Sequence, residues 1–380
     1  MAPCLVLLSL WLLVGCCLTQ GTGASGIDIA ANLGSVLPTL SRPANASRIF
    51  YGVMFDAGST GTRIHIYTFI LSLPVLDNEM FHNVKPGLSA FADTPEIAGE
   101  TVRQLLRVAK KTVPRLEWKR TPVVLRATAG LRLLPPKKAQ ALLDQVQDAF
   151  DESPFLVPED SVTIMNGTSE GILAWVTVNY LTGHLQAKSK TTAGILDLGG
   201  GSTQITFLPK LKKTTESAPA DHIAKFDLLT TTYKLYSLEW KVFKSSCLPK
   251  KFQEDWGFGG LVYKISGIHD GYAGYRLCYL EMERVVKGIV HQPYELKDSS
   301  VFYAFSYYFD IAAAAGLIDE SQGGMVKVSD FKRRAKEVCN KMAKHRVESP
   351  FLCMDITYIT CLLKDGFGFK DHTVLQVSRF

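Results

Sequence analysis

The sequence lacks Walker A, HExxH and GxGxxG motifs, which removes the main support for P-loop NTPase, zinc-protease and Rossmann functions. It is also poor in charge, with 21% charged and 47% hydrophobic residues among 380. That balance excludes disorder, collagen and coiled coil for the bulk of the chain. The net charge of +6 suits a phosphate-bearing ligand, but it is too small and too evenly spread to indicate nucleic-acid binding.

Long apolar runs are scarce, and residues 5–18 form an uninterrupted uncharged run near the N-terminus. Its 14 residues are too few to span a bilayer comfortably, but they match the apolar part of a signal peptide. Small residues follow it, although no basic side chain precedes it. We predict a signal peptide over residues 1–24, with an uncleaved anchor as the alternative. The mature protein is then expected in the endoplasmic reticulum lumen or secreted, without a stable membrane anchor.

Cysteines are few, and none has CxxC spacing, which argues against zinc and thioredoxin chemistry. Five lie beyond the predicted signal peptide, so an oxidising compartment favours two disulfides and one free thiol. Pairing of neighbours is the simplest choice. It joins Cys247 to Cys278 and Cys339 to Cys353, and leaves Cys361 free.

Residues 25–47 are rich in Gly, Ala, Ser and Pro and are predicted to form a flexible linker. This linker contains the glycosylation sequon at Asn45, which we expect to be modified. A second sequon at Asn166 lies beside the candidate catalytic centre, where a glycan would block access. We therefore expect Asn166 to be unmodified.

The main signal is an internal repeat of two hairpins, YGVMFDAGSTGTRIHIYTF and AGILDLGGGSTQITFLP. Each has an apolar strand, an Asp-x-Gly step, small hydroxyl residues and a second apolar strand. The two aspartates, Asp56 and Asp197, are 141 residues apart, which is a domain-sized interval. The repeat predicts a duplicated lobe in which each half presents one hairpin to a shared cleft.

Turns of Gly, Ser and Thr let several backbone N–H groups converge on one anion, and phosphate is the ligand they suit best. Hard divalent cations prefer oxygen ligands, so Asp56 and Asp197 could hold Ca²⁺ or Mg²⁺ through its waters. Either hairpin alone would be interpreted as an ordinary β-turn. Two matched hairpins together favour phosphate binding.

Two further motifs lie between the hairpins. The first, at residues 127–132, follows a predicted strand and ends in Arg132, which can reach phosphate. The second places Glu170 in the opening turn of an apolar helix, where the positive helix end favours the ionised form that a general base requires. The alternative is a glutamate that only caps or solvates the helix start, and spacing alone leaves both possibilities open.

With these motifs, the chain resembles a known family, the ectonucleoside triphosphate diphosphohydrolases or apyrases. Four of the family's five conserved regions can be quoted in order: FDAGSTGTR (55–63), ATAGLR (127–132), MNGTSEGILAWVTVNYLTG (165–183) and LDLGGGSTQITF (196–207). Other stretches, such as SPFLCMD and LLKDGFGF, resemble the soluble branch of the endoplasmic reticulum lumen and secretions. That resemblance implies hydrolysis of nucleoside diphosphates, UDP and GDP above all, in support of protein glycosylation and folding.

The resemblance also implies an α/β fold of two actin-like, ribonuclease-H-like lobes around a central cleft, with lobes at residues 48–166 and 167–380. Glu170 would be the general base and Ser202 would orient the attacking water. Asp56 and Asp197, with Thr128 nearby, would hold the hydrated Ca²⁺ or Mg²⁺. The expected phosphate ligands are Ser59, Thr60, Gly61, Arg63, Arg132, Gly199, Gly200, Gly201, Thr203 and Gln204.

The aromatic segment at residues 302–308 corresponds to a family segment that holds the nucleobase, and Tyr307 is the candidate for stacking. Aromatic runs also form cores, so a purely structural role is the alternative. The basic segment at residues 327–346 is expected to be a solvated helix face.

The match departs from the family in two places. A few dozen residues of a helical insert are expected to be missing after residue 236. The C-terminal return to the first lobe, with the fifth conserved region, is also expected to be missing. Two other functions therefore stay open. One is a different actin-like ATPase or sugar kinase, and the other is a shortened nucleotide-binding form with little or no turnover.

Overall fold

The structure, a computed structural model, describes the larger part of the chain. The predicted signal peptide and Asn45 lie outside the described residues, and so does the linker except for strand β1 (Ile27–Asp28). Within the described part, no helix combines the length and apolar character needed to cross a membrane. The described residues are 27–28, 49–70, 75–185, 192–219, 222–228, 231–240, 247–248, 253–258, 261–266, 274–287, 293, 296, 301–342 and 349–379.

The first lobe contains a five-stranded sheet flanked by helices. Its strands are β2 (Ile49–Ala57), β3 (Thr62–Ile70), β4 (Val75–Val84), β5 (Val123–Ala127) and β6 (Val162–Ile164). Its helices are α1 (Pro95–Thr112), α2 (Ala129–Arg132) and α3 (Pro136–Asp151), with short 3₁₀ turns at Leu88–Phe91 and Arg115–Arg120.

The second lobe starts with helix α4 (Gly167–Leu181) and is built on an eight-stranded sheet that includes β1. Its first elements are β7 (Gly194–Leu198), β8 (Thr203–Phe207), α5 (Lys212–Ser217), β9 (Ile223–Leu228) and β10 (Thr231–Trp240). A separate hairpin, β11 (Gln253–Phe258) and β12 (Leu261–Ser266), precedes α6 (Tyr275–Lys287). The remaining elements are β13 (Phe302–Ser306), α7 (Tyr307–Ala314), β14 (Gly324–Lys327), α8 (Val328–Met342), α9 (Leu352–Cys361), a π-helical turn (Leu362–Gly366) and β15 (Val374–Val377).

Both sheets repeat one topology. The first has the order β4-β3-β2-β5-β6, and the middle of the second has the order β10-β8-β7-β13-β15. In the first lobe β2, β3 and β4 are antiparallel neighbours, and β5 and β6 run parallel to β2. In the second lobe β7, β8 and β10 are antiparallel neighbours, and β13 and β15 run parallel to β7. The repeat predicted from the two hairpins therefore extends to five strands per lobe. Because parallel strands end at the same edge, the loops after β2, β5, β7, β13 and β15 gather at the cleft.

Helix α4 lies between the lobes and is buried on all sides. Trp175 is fully buried, and the helix packs against Met54 of the first sheet and Ile195 of the second. A helix that is apolar all round is expected in such a position. By contrast, α1 is amphipathic and buries one stripe, Ala98, Val102, Leu105 and Ala109.

Both predicted disulfides are confirmed. Cys247 pairs with Cys278 and Cys339 with Cys353, while Cys361 is a free, buried thiol. The two disulfides tie the segment before β11 to α6, and α8 to α9.

One carboxyl on α9 makes stability depend on pH. Burial raises the pKa of Asp355 to about 7. Folding therefore favours the protonated carboxyl, and this contribution is complete below the unfolded pKa and lost as pH rises through about 7. Asp355→Asn removes the ionisation, so we expect it to stabilise the protein at pH 8 by roughly 2–4 kcal/mol, with little change at pH 4.5.

Thermal unfolding of both proteins at the two pH values checks this prediction. Asp151→Asn, at an exposed position at the end of α3, is the matched control and should shift neither curve. Equal melting temperatures for Asp355→Asn and the unchanged protein at pH 8 would contradict the assignment.

Candidate active site

The two glycine turns of the repeat face each other. Turn 1 (residues 58–61) joins β2 to β3, and turn 2 (residues 199–202) joins β7 to β8. A Cβ added to Gly200 would lie 2.6 Å from Ser59 Oγ and 2.9 Å from Thr60 Cγ2. The turns are thus in direct contact across the cleft, and only glycine leaves room for the approach.

A cavity of about 510 Å³ lies between the lobes beside these turns. Its wall combines backbone from both turns with carboxylate, hydroxyl and guanidinium side chains. Of the residues predicted for the site, those in the wall are Asp56, Ser59, Thr60, Arg63, Thr128, Glu170, Asp197, Gly199, Gly200, Gly201, Ser202 and Tyr307.

The two predicted metal-binding carboxylates belong to this one cavity. Asp56 accepts a hydrogen bond from Arg63 Nη1 at 2.6 Å. Burial raises the pKa of Asp197 to about 6; a hydrogen bond from Ser306 opposes the rise and the charge of Asp56 adds to it. The influence of Asp56 on Asp197 reflects two like charges held near each other at low solvent exposure.

This arrangement fits a hard divalent cation. Oδ1 of Asp197 is buried and has no hydrogen-bond partner among the described residues. An uncompensated carboxylate oxygen beside a second carboxylate is an oxygen-rich site of the kind that Ca²⁺ and Mg²⁺ prefer. Asp56, Asp197 and the adjacent Thr128 are the residues that could hold such an ion, directly or through its waters.

Glu170 lies in the first turn of α4 and lines the cavity. The turn is fixed by Asn166, whose side chain accepts a hydrogen bond from Ser169 N at 2.7 Å as an N-cap. Capping is therefore performed by Asn166, which leaves Glu170 available for chemistry.

Arg132 connects the candidate base to turn 2. Its guanidinium donates to Glu170 Oε2 at 3.1 Å and to Ser202 Oγ at 3.3 Å. It also donates to Met165 O at 2.5 Å. This network fixes Glu170 and Ser202 relative to each other, so the geometry suits Arg132 to orienting both groups.

Several predicted phosphate ligands stand behind the cavity wall. Thr203 Oγ1 donates to the Asp197 backbone oxygen at 2.6 Å, and Gln204 Nε2 donates to Ser202 Oγ at 3.0 Å. Both side chains are almost completely buried. Like Gly61 and Arg132, they are absent from the wall itself, and their predicted contact with phosphate stays a prediction.

Ser306 lines the cavity with a strained backbone, although no sequence motif marks it. It has φ 59° and ψ −130° at the sharp turn from β13 into α7, and it hydrogen-bonds to Asp197. Such a backbone costs a non-glycine residue of order 1–3 kcal/mol.

Residues 167–171 have the Gly-x-Ser-x-Gly spacing of a nucleophile elbow, but Ser169 there belongs to the first turn of α4 and has no positive φ.

Other wall residues were also missed by sequence reasoning. Asn83 lies in β4 and Lys85 just after it, and Arg126 lies in β5. Asp310 lies on α7, and Arg379 follows β15. A basic residue just beyond a strand that ends at the cleft is the only sequence signal that could have found Lys85 and Arg379. Tyr307, the predicted stacking residue, is 37% exposed in the same cavity.

Turn 1 is held against α2 by a contact that tolerates no side chain. A Cβ on Gly130 would lie 2.8 Å from Ser59 Cα. We expect Gly130→Ala to displace turn 1 and to lower the rate of phosphate release by about 10–100-fold, because small displacements of positioning groups are costly. Gly324→Ala, where a Cβ would meet only the Ile318 side chain at 3.2 Å outside the cavity, is the control. Activity of Gly130→Ala within twofold of the unchanged protein would contradict the role of this contact.

Comparison with known proteins gives consistent relatives. The profile of the GDA1/CD39 (nucleoside phosphatase) family matches residues 43–255. Ectonucleoside triphosphate diphosphohydrolase 5 of Gallus gallus is 53% identical over 372 residues, which cover 90% of this chain and 87% of the relative. The nucleoside diphosphate phosphatase ENTPD5 of Homo sapiens is 52% identical over 365 residues, with coverage of 89% and 85%. Ectonucleoside triphosphate diphosphohydrolase 6 of Mus musculus is 45% identical over 369 residues, with coverage of 89% and 80%.

Among solved structures, a nucleoside triphosphate hydrolase from Neospora caninum has a TM-score of 0.62 at 12% identity. The similarity covers 87% of this chain and 88% of that one. It establishes the fold and agrees with the predicted two-lobed α/β arrangement.

Proposed function

The chain belongs to the GDA1/CD39 (nucleoside phosphatase) family, and from this premise we propose that it hydrolyses nucleoside diphosphates to nucleoside monophosphate and phosphate. UDP and GDP are the proposed substrates. The observation that carries the proposal is the meeting of turn 1, turn 2 and Glu170 in one cavity. Two opposed sets of backbone N–H donors suit the two phosphates of a diphosphate better than a single phosphate.

Glu170 is the proposed general base. It takes a proton from a water molecule, whose oxygen attacks the terminal phosphorus. The bond from that phosphorus to the bridging oxygen breaks, and the nucleoside monophosphate leaves. The ion pair with Arg132 keeps the carboxylate oriented, and Ser202, held by Arg132 and Gln204, would position the same water.

A divalent cation, Ca²⁺ or Mg²⁺, would neutralise phosphate charge as it builds up at the leaving oxygen. Asp197 and Asp56 are the proposed holders of the ion, through its waters. The turns and Arg63 would hold the phosphates in line with the attacking water, so catalysis is positioning and charge neutralisation with no covalent intermediate. Arg63 bridges both tasks, since it contacts Asp56 and lines the cavity.

We place the reaction in the secretory pathway, on the grounds of the sequence-predicted signal peptide and the two disulfides. There it would remove the nucleoside diphosphates that sugar transfer to proteins releases, which ties it to glycoprotein synthesis and folding.

The test is phosphate release by the purified protein from UDP, GDP, ADP and ATP, with Ca²⁺, with Mg²⁺ and with a chelator. The proposal expects UDP and GDP to be cleaved fastest, and turnover to stop on chelation and return with the cation. Nucleotide binding without phosphate release would identify a binding protein instead. Transfer of the phosphate to a sugar would identify a kinase.

A further inference from the structure

Two segments of the second lobe that are distant in sequence meet in the wall of the cavity. Strands β13 and β15 are parallel neighbours, with Ala304 opposite Val377. Residues that follow the two strands must therefore emerge at the same edge of the sheet. The chain after β13 begins α7 at Tyr307, and the chain after β15 continues to Arg379, whose guanidinium carbon lies 5.0 Å from the centre of the Phe309 ring.

Helix α7 presents a ring and a carboxylate to this place. Tyr307 and Asp310 are three residues apart, so they share one face of the helix, and both line the cavity. Neither Asp310 nor Arg379 has a hydrogen bond or an ion pair with any residue that the structure describes. Burial raises the pKa of Asp310, and the charge of Arg379 is the largest of the influences that oppose the rise.

This part of the cavity wall thus combines the ring of Tyr307 with a hydrogen-bond donor, Arg379, and an acceptor, Asp310. Guanidinium groups only donate and carboxylates only accept. Uracil and guanine carry a carbonyl oxygen next to a ring N–H, which is the complementary pattern. Adenine and cytosine carry an amino group next to a ring nitrogen lone pair, which is the reverse pattern.

We propose that Arg379 and Asp310 form a base-selective subsite, in which Arg379 donates to the carbonyl and Asp310 accepts from the ring N–H of a lactam base held over Tyr307. The inference rests on the proposed function, because it takes the substrate to be a nucleotide with its phosphates at the turns. It assigns the choice among bases to two residues, one from each of two non-consecutive segments.

The test compares IDP with ADP, because hypoxanthine and adenine differ in this edge and are otherwise closely matched. We expect the unchanged protein to show kcat/KM at least tenfold higher for IDP than for ADP, with UDP and GDP resembling IDP. Hydrogen-bond patterns that leave a polar group unpaired are rejected more strongly than changes of size. Asp310→Asn can present either an oxygen or an N–H, so it should reduce the IDP-to-ADP ratio at least fivefold. Arg379→Met should lower kcat/KM for IDP and UDP at least fivefold more than for ADP.

Lys341→Met and Glu320→Gln are the matched controls, since they remove the same charges from exposed positions outside the cavity wall. Both should keep the ratio of the unchanged protein. An unchanged ratio in both site variants would overturn the proposal. An equal loss on all nucleotides would also overturn it, because it would assign the two residues to the phosphates.

Calorimetry of IDP and ADP binding to Glu170→Gln protein compares the two bases without turnover. The same measurement is made after Asp310→Asn or Arg379→Met is added to that protein. A preference for IDP that both site variants abolish would support the subsite even if no phosphate were released. Equal binding of the two nucleotides would refute the subsite, whereas absence of turnover alone would refute only the proposed function.

Discussion

Replacing Glu170 with glutamine is expected to lower kcat for UDP hydrolysis by about 10²–10⁴-fold, the usual contribution of a general base. Glutamine keeps the size of the side chain and can still accept a hydrogen bond from Arg132. It cannot take a proton from water, so the loss should fall on kcat rather than on KM. Phosphate release under saturating UDP and cation measures the effect.

The control for this prediction is Glu159→Gln, an exposed position outside the cavity wall. It should retain full activity. A nucleotide-induced rise in melting temperature for Glu170→Gln would show that the folded site still binds substrate. Equal rates for Glu170→Gln and the unchanged protein would rule out Glu170 as the base and return it to a structural role at the start of α4.

The parts of the fold that could be predicted are those whose signal is local. The hairpin strands flank turns of glycine and small hydroxyl residues, so β2, β3, β7 and β8 lie at the two hairpin motifs found in the sequence. The apolar residues of α1 and α3 recur with helical spacing, which is also a local signal. By contrast, the strand over Phe302–Ser306 was considered only as an aromatic cluster, because a fully buried parallel strand has no alternation to reveal it.

The candidate site divides in the same way. Asp56, Asp197 and Glu170 each lie within a short motif whose residue types indicate a function, and the structure brings all three to one cavity. Ser306 and Arg379 carry no such motif. They reach the site because β13 pairs in parallel with β7 and β15 pairs in parallel with β13, and these pairings join segments far apart in sequence. This strand pairing depends on the fold of the whole lobe, so no short sequence motif predicts it.

The contacts that Arg132 makes within the protein could not be predicted from its motif. Its predicted contact with phosphate stays a prediction, and in the structure its guanidinium contacts Glu170, Ser202 and Met165 O. With 14% of its side chain exposed, it is placed to hold the base and the water-orienting hydroxyl together. Arg63, Lys85 and Arg379 are basic residues that line the cavity wall.

Asp197→Asn is expected to change activity and stability in opposite directions. Asp197 is 8% exposed, and burial together with the charge of Asp56 raises its pKa to about 6. The stabilising protonated form is complete below the unfolded pKa and lost as pH rises through about 6. Without a cation at pH 8, ionisation of Asp197 thus destabilises the fold by roughly 2–3 kcal/mol, a cost that asparagine does not carry.

With the cation the sign reverses, because the same charge becomes a ligand. Asp197→Asn should therefore melt at a higher temperature than the unchanged protein in chelator, and should lose most of the rise in melting temperature that Ca²⁺ or Mg²⁺ produces. Phosphate release should fall by about 10²–10³-fold, as expected when a preorganised electrostatic group is removed. Melting curves with cation and with chelator, measured beside Asp151→Asn, separate the two effects. A cation-induced rise in melting temperature that survives in Asp197→Asn would exclude Asp197 from the metal site, because the stabilisation by the cation would then not depend on this carboxylate.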